Sequence, residues 1–68
     1  MNYEKLNNVI EDSGLKRSYI AKSIGVSSKV FHDRTHGVSQ WKGNEIAAFC
    51  NLLGIKKKQR DEIFFVSM

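Results

Sequence analysis

The chain has 68 residues, the size of one small domain, and we expect residues 1–68 to form a single domain. A core of this size leaves no room for a deep catalytic cleft. The composition, with 41% hydrophobic and 26% charged residues, is that of a folded globule and disfavours disorder. The formal net charge of +4 fits either a solvated surface or a surface that binds a polyanion.

Cysteine content and hydropathy bear on the compartment. The single cysteine, Cys50, excludes an intramolecular disulfide and a cluster of cysteine metal ligands, which favours a reducing environment. No apolar run approaches the roughly 18 residues of a membrane span. Residues 1–5 lack the basic-then-apolar order of a signal peptide. We therefore expect a cytoplasmic protein with no membrane contact.

The positive charge is concentrated in the middle of the sequence. Residues 15–44 carry six lysine and arginine residues against one acidic residue, Asp33. Residues 1–14 carry one lysine against three acidic residues, and residues 45–68 are nearly balanced. A basic segment of this kind is typical of one face of a nucleic-acid-binding protein, although charge alone does not separate this interpretation from a solvated surface.

Glycines separate the predicted helices. Apolar residues at threes and fours predict a first helix over about residues 2–13, ended by Gly14. A second helix is expected over about residues 16–24, with Ile20, Ala21 and Ile24 on its apolar face and Gly25 as its breaker. The order of residues and breakers thus predicts two short helices joined by a tight turn.

Three more helices complete the predicted all-α fold. Ser27 is a natural N-cap for a third helix that runs to about Thr35 and is closed by Gly37. A strongly amphipathic segment predicts a fourth helix over about residues 42–53, and residues 57–65 predict a fifth, although Lys56 is a poor N-cap for it. No segment alternates with a period of two, so we expect a compact five-helix domain without strands.

The second and third predicted helices carry a recognisable motif. Two short helices joined by a glycine-containing turn form a helix-turn-helix, whose second helix can enter the major groove of DNA. The residues read Leu-x-Arg-x-x-Ile-Ala-x-x-x-Gly-Val-Ser-x-x-x-Phe-x-x-x-x-x-Gly over positions 15–37. This pattern resembles the helix-turn-helix of the phage Cro and repressor family, also called xenobiotic-response-element-like. With the amphipathic helix that follows and the Asp61-Glu62-Ile63-Phe64-Phe65 ending, the resemblance covers nearly the whole chain. It implies a lambda-repressor-like fold and a small regulator of a phage or mobile element.

The resemblance also implies roles for particular residues. It assigns base reading to Ser28, Lys29 and Asp33, and phosphate contacts to Arg17, Ser27 and His36. The chain departs from the family pattern at three positions. Lys16 stands where a small capping residue is usual, Arg17 replaces a phosphate-binding glutamine, and Arg34 stands where many relatives bury an aliphatic side chain. The basic replacements should raise affinity more than selectivity.

The outward face of the third helix follows from its geometry. Stepping about 100° per residue from the apolar Phe31 directs four side chains away from the core, and Ser28 and Thr35 are expected at the edge of that face. The four are Lys29, His32, Asp33 and His36. Lys42, in the loop after this helix, is a further candidate for a phosphate contact. Asp33 has two possible roles, accepting a hydrogen bond from cytosine or pairing with Lys29 four residues earlier.

Other interpretations of these residues were weighed. His32 and His36 have the i, i+4 spacing of metal ligands, but no third ligand is placed to complete a site. Cys50 lies on the apolar face of the fourth helix and is expected to be buried rather than reactive. Trp41 and Tyr19 are expected to pack at the rim of the core, and the lysines at 56–58 to be solvated. No catalytic motif is present, so we expect neither an enzyme nor a cofactor.

The sequence thus predicts a sequence-specific double-stranded DNA-binding transcriptional regulator that occupies an operator as a homodimer. Phe65, Val66 and Met68 are the expected dimer contact, with Phe64 in the core. No small-molecule ligand is expected. A protein-interaction module, such as an antitoxin or anti-repressor that uses the same fold to bind a partner, stays open as the alternative.

Overall fold

The computed structural model describes residues 1–65 and, over that range, contains five α-helices and no strand. The helices are α1 (Tyr3–Ser13), α2 (Arg17–Ser23), α3 (Ser28–Thr35), α4 (Gly43–Leu53) and α5 (Lys57–Phe64). The all-α prediction is confirmed, and each helix begins and ends within one residue of its predicted bounds. Of the helices in this described range, none is both long and apolar enough to cross a membrane.

Local capping contacts explain why the helices begin and end where they do. The Ser27 hydroxyl accepts a hydrogen bond from the Val30 N–H at 3.1 Å and so caps α3, as predicted. Helices α1 and α4 end at Gly14 and Gly54, both in the left-handed conformation. Lys56 precedes α5 without any side-chain capping bond, so this helix depends on packing for its stability.

The core is formed by apolar side chains from all five helices. Phe31 from α3 and Phe49 from α4 are the largest fully buried side chains. Phe64 is buried and Phe65 is 55% exposed, as the sequence predicted, whereas Val66 and Met68 lie outside the described residues. The buried hydrophobic residues are Leu6, Ile10, Ile20, Ala21, Ile24, Phe31, Phe49, Cys50, Ile63 and Phe64.

Trp41 closes one edge of this core. Its ring makes edge-on contacts with Phe31, Phe49 and Phe64 at centroid distances of 6.1, 5.3 and 5.0 Å. Its Nε1–H donates to the Arg34 carbonyl at 3.0 Å, which satisfies the polar end of the side chain. The predicted packing role of Trp41 is therefore confirmed, while Tyr19 stays 53% exposed on α2.

Helix α1 connects the end of α5 to the end of α3. The Asn2 N–H donates to the Ile63 carbonyl at 2.8 Å, which joins the start of α1 to the last turn of α5. The Asn7 side-chain amide donates to the Thr35 carbonyl at 3.1 Å, and the Tyr3 ring lies against Gly37. Gly37 has a φ of 77°, and a Cβ there would approach the Tyr3 ring to 3.3 Å, so this position favours glycine twice over.

One predicted orientation on α3 is wrong. Thr35 was expected at the edge of the outward face, but it is 1% exposed and its hydroxyl donates to the His32 carbonyl at 3.1 Å. Thr35 follows Phe31 by four residues and so shares its inward face, and α1 covers that face through Asn7. The outward face of α3 is therefore narrower at its C-terminal end than the sequence suggested.

Candidate nucleic-acid interface

The turn between α2 and α3 fixes how these two helices meet. Ala21 on α2 is 1% exposed, and its carbonyl accepts from the Val26 N–H at 2.9 Å. Gly25 has a φ of 84°, a conformation that side-chain-bearing residues rarely adopt, and it turns the chain sharply between Ile24 and Val26. Val26 packs against the core. The small residue, the glycine and the apolar residue thus allow α2 and α3 to pack closely against each other.

An open groove runs between the start of α2 and the outward face of α3. We call it the α2–α3 groove. It encloses about 210 Å³ and is lined by Arg17, Ser18, Ser28, Phe31, His32, Thr35 and His36. Phe31 and Thr35 form its buried floor, and polar side chains form its walls. Four of the predicted contact residues, Arg17, Ser28, His32 and His36, are therefore brought together at one place.

Arg17 extends from the first turn of α2 into the groove wall. Its Nη2 lies 3.4 Å from Oε1 of Glu11 on α1, and the two side chains are 38% and 73% exposed. Exposed pairs of this kind contribute about 0–1 kcal/mol, so Glu11 can release Arg17 at little cost. The Nη1 atom is enclosed and has no hydrogen-bond partner within residues 1–65. Arg17 therefore retains hydrogen-bonding capacity that the described chain does not use.

The two histidines form a stacked pair on the outer face of α3. Their ring centroids are 4.0 Å apart and the ring planes differ by 19°. The His36 Nδ1 lies 2.8 Å from the His32 carbonyl, which only accepts hydrogen bonds, so this nitrogen carries the hydrogen. The His36 Nε2 is then free to face a ligand. Both residues are exposed, as the helical geometry predicted.

Lys29 and Asp33 occupy the same outer face in a different way. Their side chains form an i, i+4 ion pair at 3.3 Å, which is one of the two roles considered for Asp33. Lys29 is 84% exposed, whereas Asp33 is only 23% exposed and also lies 3.6 Å from the His32 Nδ1. The Lys29 ammonium is therefore the most accessible charge on α3, and Asp33 is largely covered by its neighbours.

Ser27 and Lys42 lie outside the groove. The Ser27 oxygen is occupied as the cap of α3, although its hydroxyl hydrogen can still be donated. Lys42 is exposed at the N-cap of α4, where its own N–H donates to Glu45 Oε1 at 3.0 Å. The predicted contact residues thus fall into three positions: the groove, the exposed face of α3, and the two helix starts at 27 and 42.

The sequence did not reveal an ion pair between α3 and α4. The Arg34 Nε and Nη2 donate to Glu45 Oε1 and Oε2 at 2.8 and 3.3 Å, and Arg34 Nη1 donates to the Ser39 hydroxyl. The two charged side chains are 13% and 5% exposed. Hydrogen bonding to Arg34 lowers the pKa of Glu45, and the same bond raises the pKa of Arg34. We call this contact the α3–α4 ion pair.

A sequence signal for this pair existed. Glu45 is four residues before Phe49, on the otherwise apolar inward face of α4, where a carboxylate requires a partner. Arg34 stands where the helix-turn-helix pattern that the sequence resembles favours an aliphatic residue. Each of these two unusual residues is visible in the sequence by itself. Arg34 and Glu45 are eleven positions apart, however, and no local rule pairs them.

Cys50 and the lysines at 56–58 lie apart from the α2–α3 groove. Cys50 is buried, and burial raises the pKa of its thiol, which disfavours the reactive thiolate. Over residues 1–65, no three histidine, cysteine or acidic side chains gather closely enough to hold a metal ion. The lysines at 56–58 are exposed around the start of α5.

Comparison with known proteins gives no match: no family model, no curated protein and no solved structure is significantly similar to this chain. The function of the α2–α3 groove is therefore inferred from its own residues and geometry.

Proposed function

We propose that this protein is a sequence-specific double-stranded DNA-binding regulator, with α2 and α3 as a helix-turn-helix. In this proposal it acts in the cytoplasm as a Cro-like or repressor-like protein of a phage or mobile element. It would regulate transcription by occupying an operator. The observation that carries the proposal is the gathering of Arg17, Ser28, His32 and His36 along the α2–α3 groove.

The thickness of an exposed helix such as α3 suits a duplex. An α-helix with its side chains is about 10–12 Å across, which matches the width of about 12 Å of the major groove of B-DNA. Its exposed face offers Ser28 and Lys29 to base edges, with Asp33 behind them. Arg17, on the neighbouring helix, is suited to a phosphate at the groove wall, because guanidinium groups bind phosphate with two donors.

The distribution of accessible charge supports the same surface. Around α2, α3 and the start of α4, the exposed lysines are Lys16, Lys22, Lys29 and Lys42. Arg34 belongs to the basic segment at residues 15–44, but Glu45 neutralises its charge and its side chain is only 13% exposed. Arg17 and the exposed lysines other than Lys29 would provide the sequence-independent part of DNA affinity, while Ser28 and Lys29 would provide the selective part.

Two copies are expected on each operator. One short helix contacts too few base pairs for useful selectivity, so half-sites about 10 bp apart would be read by two subunits. Phe65, which is 55% exposed at the end of α5, is the proposed centre of the contact between the copies. Footprinting should reveal an inverted repeat, and protection of one unrepeated half-site would contradict a dimer.

The proposal is tested by selecting duplexes from a random pool and then titrating the best sequence at several salt concentrations. If each subunit contacts about three phosphates, the affinity of a dimer should fall with a log–log slope near −5. The matched control is a scrambled duplex of the same length. If the pool yields no preferred sequence and binding to the scrambled duplex does not change with salt, the proposal is overturned and the protein-interaction module is favoured.

A further inference from the structure

We propose that Arg34 and Glu45 are positioning residues that set the placement of α3 and thereby the base selectivity of the protein. This inference rests on the proposed function, because it assumes that α3 reads base edges. Neither side chain is proposed to touch DNA. They act by holding the C-terminal end of α3 against α4.

The two ends of α3 are held very differently. At its N-terminal end, the Ser27 cap belongs to the adjacent residue and ties the helix to no other element. At its C-terminal end, the Arg34 carbonyl accepts from Trp41 at 3.0 Å and the Thr35 carbonyl accepts from Asn7 at 3.1 Å. These bonds connect the last turn of α3 to α1 and to the loop before α4. The turn to α2 sets the N-terminal end of α3, and these bonds fix the position of its C-terminal end.

The α3–α4 ion pair lies at the centre of this attachment. A guanidinium that donates to both carboxylate oxygens fixes the relative orientation of the two side chains as well as their distance. The same carboxylate accepts from the Lys42 N–H at 3.0 Å, and the same guanidinium donates to Ser39. One buried contact thus connects α3, the following loop and the start of α4. The N-cap residue of α4 is Lys42, which is a proposed phosphate contact.

A shift of α3 should affect selective and non-selective binding unequally. Contacts from flexible lysines to phosphates tolerate displacement, since the backbone of DNA presents a phosphate at every step. Hydrogen bonds to base edges require donors placed to within about 0.5 Å. Loosening the C-terminal end of α3 should therefore weaken binding to the selected duplex and leave binding to random duplex nearly unchanged.

The principal test compares Glu45→Gln with Glu62→Gln. Glutamine at 45 retains one acceptor but loses the charge and the second acceptor that orient Arg34. Glu62 forms an exposed ion pair with Lys5 at 3.7 Å between α1 and α5, so its variant removes an interhelical carboxylate far from α3. We expect Glu45→Gln to lose about tenfold in affinity for the selected duplex and less than twofold for random duplex, with an unchanged salt slope.

The ratio of the affinity for the selected duplex to the affinity for random duplex separates a positioning role from a loss of stability. A variant that only unfolds more easily loses affinity for both duplexes by the same factor, because only the folded fraction changes. Equal losses on the two duplexes would therefore overturn the positioning role. If Glu45→Gln does not fold, Ser39→Ala can be used instead. It removes a single hydrogen bond from Arg34 and should also lower the ratio of selected to random affinity. An unchanged ratio in that variant would count against the proposal.

A measurement without DNA tests the structural half of the inference. Trp41 is the only tryptophan in the chain and bonds to the Arg34 carbonyl, so its emission reports on this attachment. We expect a red shift and faster amide exchange in the last turn of α3 in Glu45→Gln, and neither change in Glu62→Gln. Unchanged emission and exchange would overturn the inference. A wild-type protein that selects no duplex would instead overturn the proposed function itself and the selectivity role with it.

Discussion

Helix α3 carries two ion pairs, each between a cation and a carboxylate, that differ in their exposure to solvent. Lys29 and Asp33 pair within one helix at 3.3 Å, with the lysine 84% exposed. Arg34 and Glu45 pair between helices at 2.8 Å, with side chains 13% and 5% exposed. The Lys29 ammonium is solvated and can leave Asp33 for another partner. The Arg34 and Glu45 side chains are shielded from water and rely on each other for hydrogen bonds.

This difference assigns the two pairs to different tasks. A solvated pair contributes little to folding, so Lys29 can be released to a ligand at small cost. A buried pair is expensive to break, since removing one partner leaves an uncompensated charge in the interior. The outward side of α3 is thus adaptable, while its inward side is fixed. Each prediction below tests that contrast, beginning with the largest effect.

The free energy of unfolding should separate the two pairs most clearly. Glu45→Ala leaves the buried Arg34 guanidinium without its carboxylate and should lower stability by about 3 kcal/mol. Asp33→Ala on the solvated pair should change it by about 0.5 kcal/mol or less. Urea titration followed by circular dichroism measures both. Similar losses in the two variants would show that burial does not distinguish these pairs.

DNA binding should respond in the reverse order, with the solvated side of α3 dominant. Lys29→Ala should lower affinity for the selected duplex by about 1–3 kcal/mol and relax the preference at one or two base pairs, because its ammonium is the accessible donor. Arg17→Ala should weaken all duplexes alike, since a phosphate contact carries no sequence information. Parallel titrations of selected and random duplex test both. Equal relative losses for Lys29→Ala would contradict its proposed role in base reading.

Acid should act on the buried pair in a defined direction. Because hydrogen bonding to Arg34 holds the pKa of Glu45 below its ordinary value of 4.5, the stabilisation is complete above pH 4.5. It is then lost as pH falls through the lowered value. The stability gap between wild type and Glu45→Gln should therefore be constant near neutrality and narrow below pH 4.5. Chemical unfolding at several pH values measures the gap, and a gap that widens in acid would reverse the argument.

The smallest expected effect is a few-fold rise in DNA affinity between pH 8 and pH 6. Histidine is the side chain that becomes charged near neutral pH, and a positive charge beside phosphate strengthens binding. The rings of His32 and His36 are stacked 4.0 Å apart on the outer face of α3.

The control for this effect is the His32→Gln, His36→Gln double variant at fixed ionic strength. Its DNA affinity should be level across the same pH range. A wild-type affinity that does not change with pH would indicate that both histidines lie off the interface, which would require a different docking face of α3.

Most of the helix boundaries could be predicted because they depend on neighbouring residues. Ser27 caps its own helix, and Gly14 and Gly54 end theirs, without help from distant parts of the chain. The outward direction of Lys29, His32 and His36 also followed from helical geometry alone. Local rules are sufficient wherever the determining contacts lie within about one turn.

Two of the errors and omissions involve contacts between distant residues, and a third depends on side-chain rotamers. Thr35 was misplaced because α1 covers the end of α3, a contact that brings together residues 28 positions apart. The α3–α4 ion pair was missed because the pairing of an arginine with a carboxylate depends on how two helices cross. The stacking of the two histidines required their rotamers, which spacing does not determine.

The hydrogen bond between the Asn2 N–H and the Ile63 carbonyl has a consequence for the connectivity of the chain. Because residues 2 and 63 are in contact, the backbone between them almost closes into a ring, which a short added linker could complete. The joined chain could then be opened at an exposed helix end such as Gly54, giving a circular permutant with the same packing. In such a protein α5 would precede α1 in the sequence, while α2 and α3 kept their order. The order of α1 and α5 along the chain is thus separable from how α3 is held in the fold.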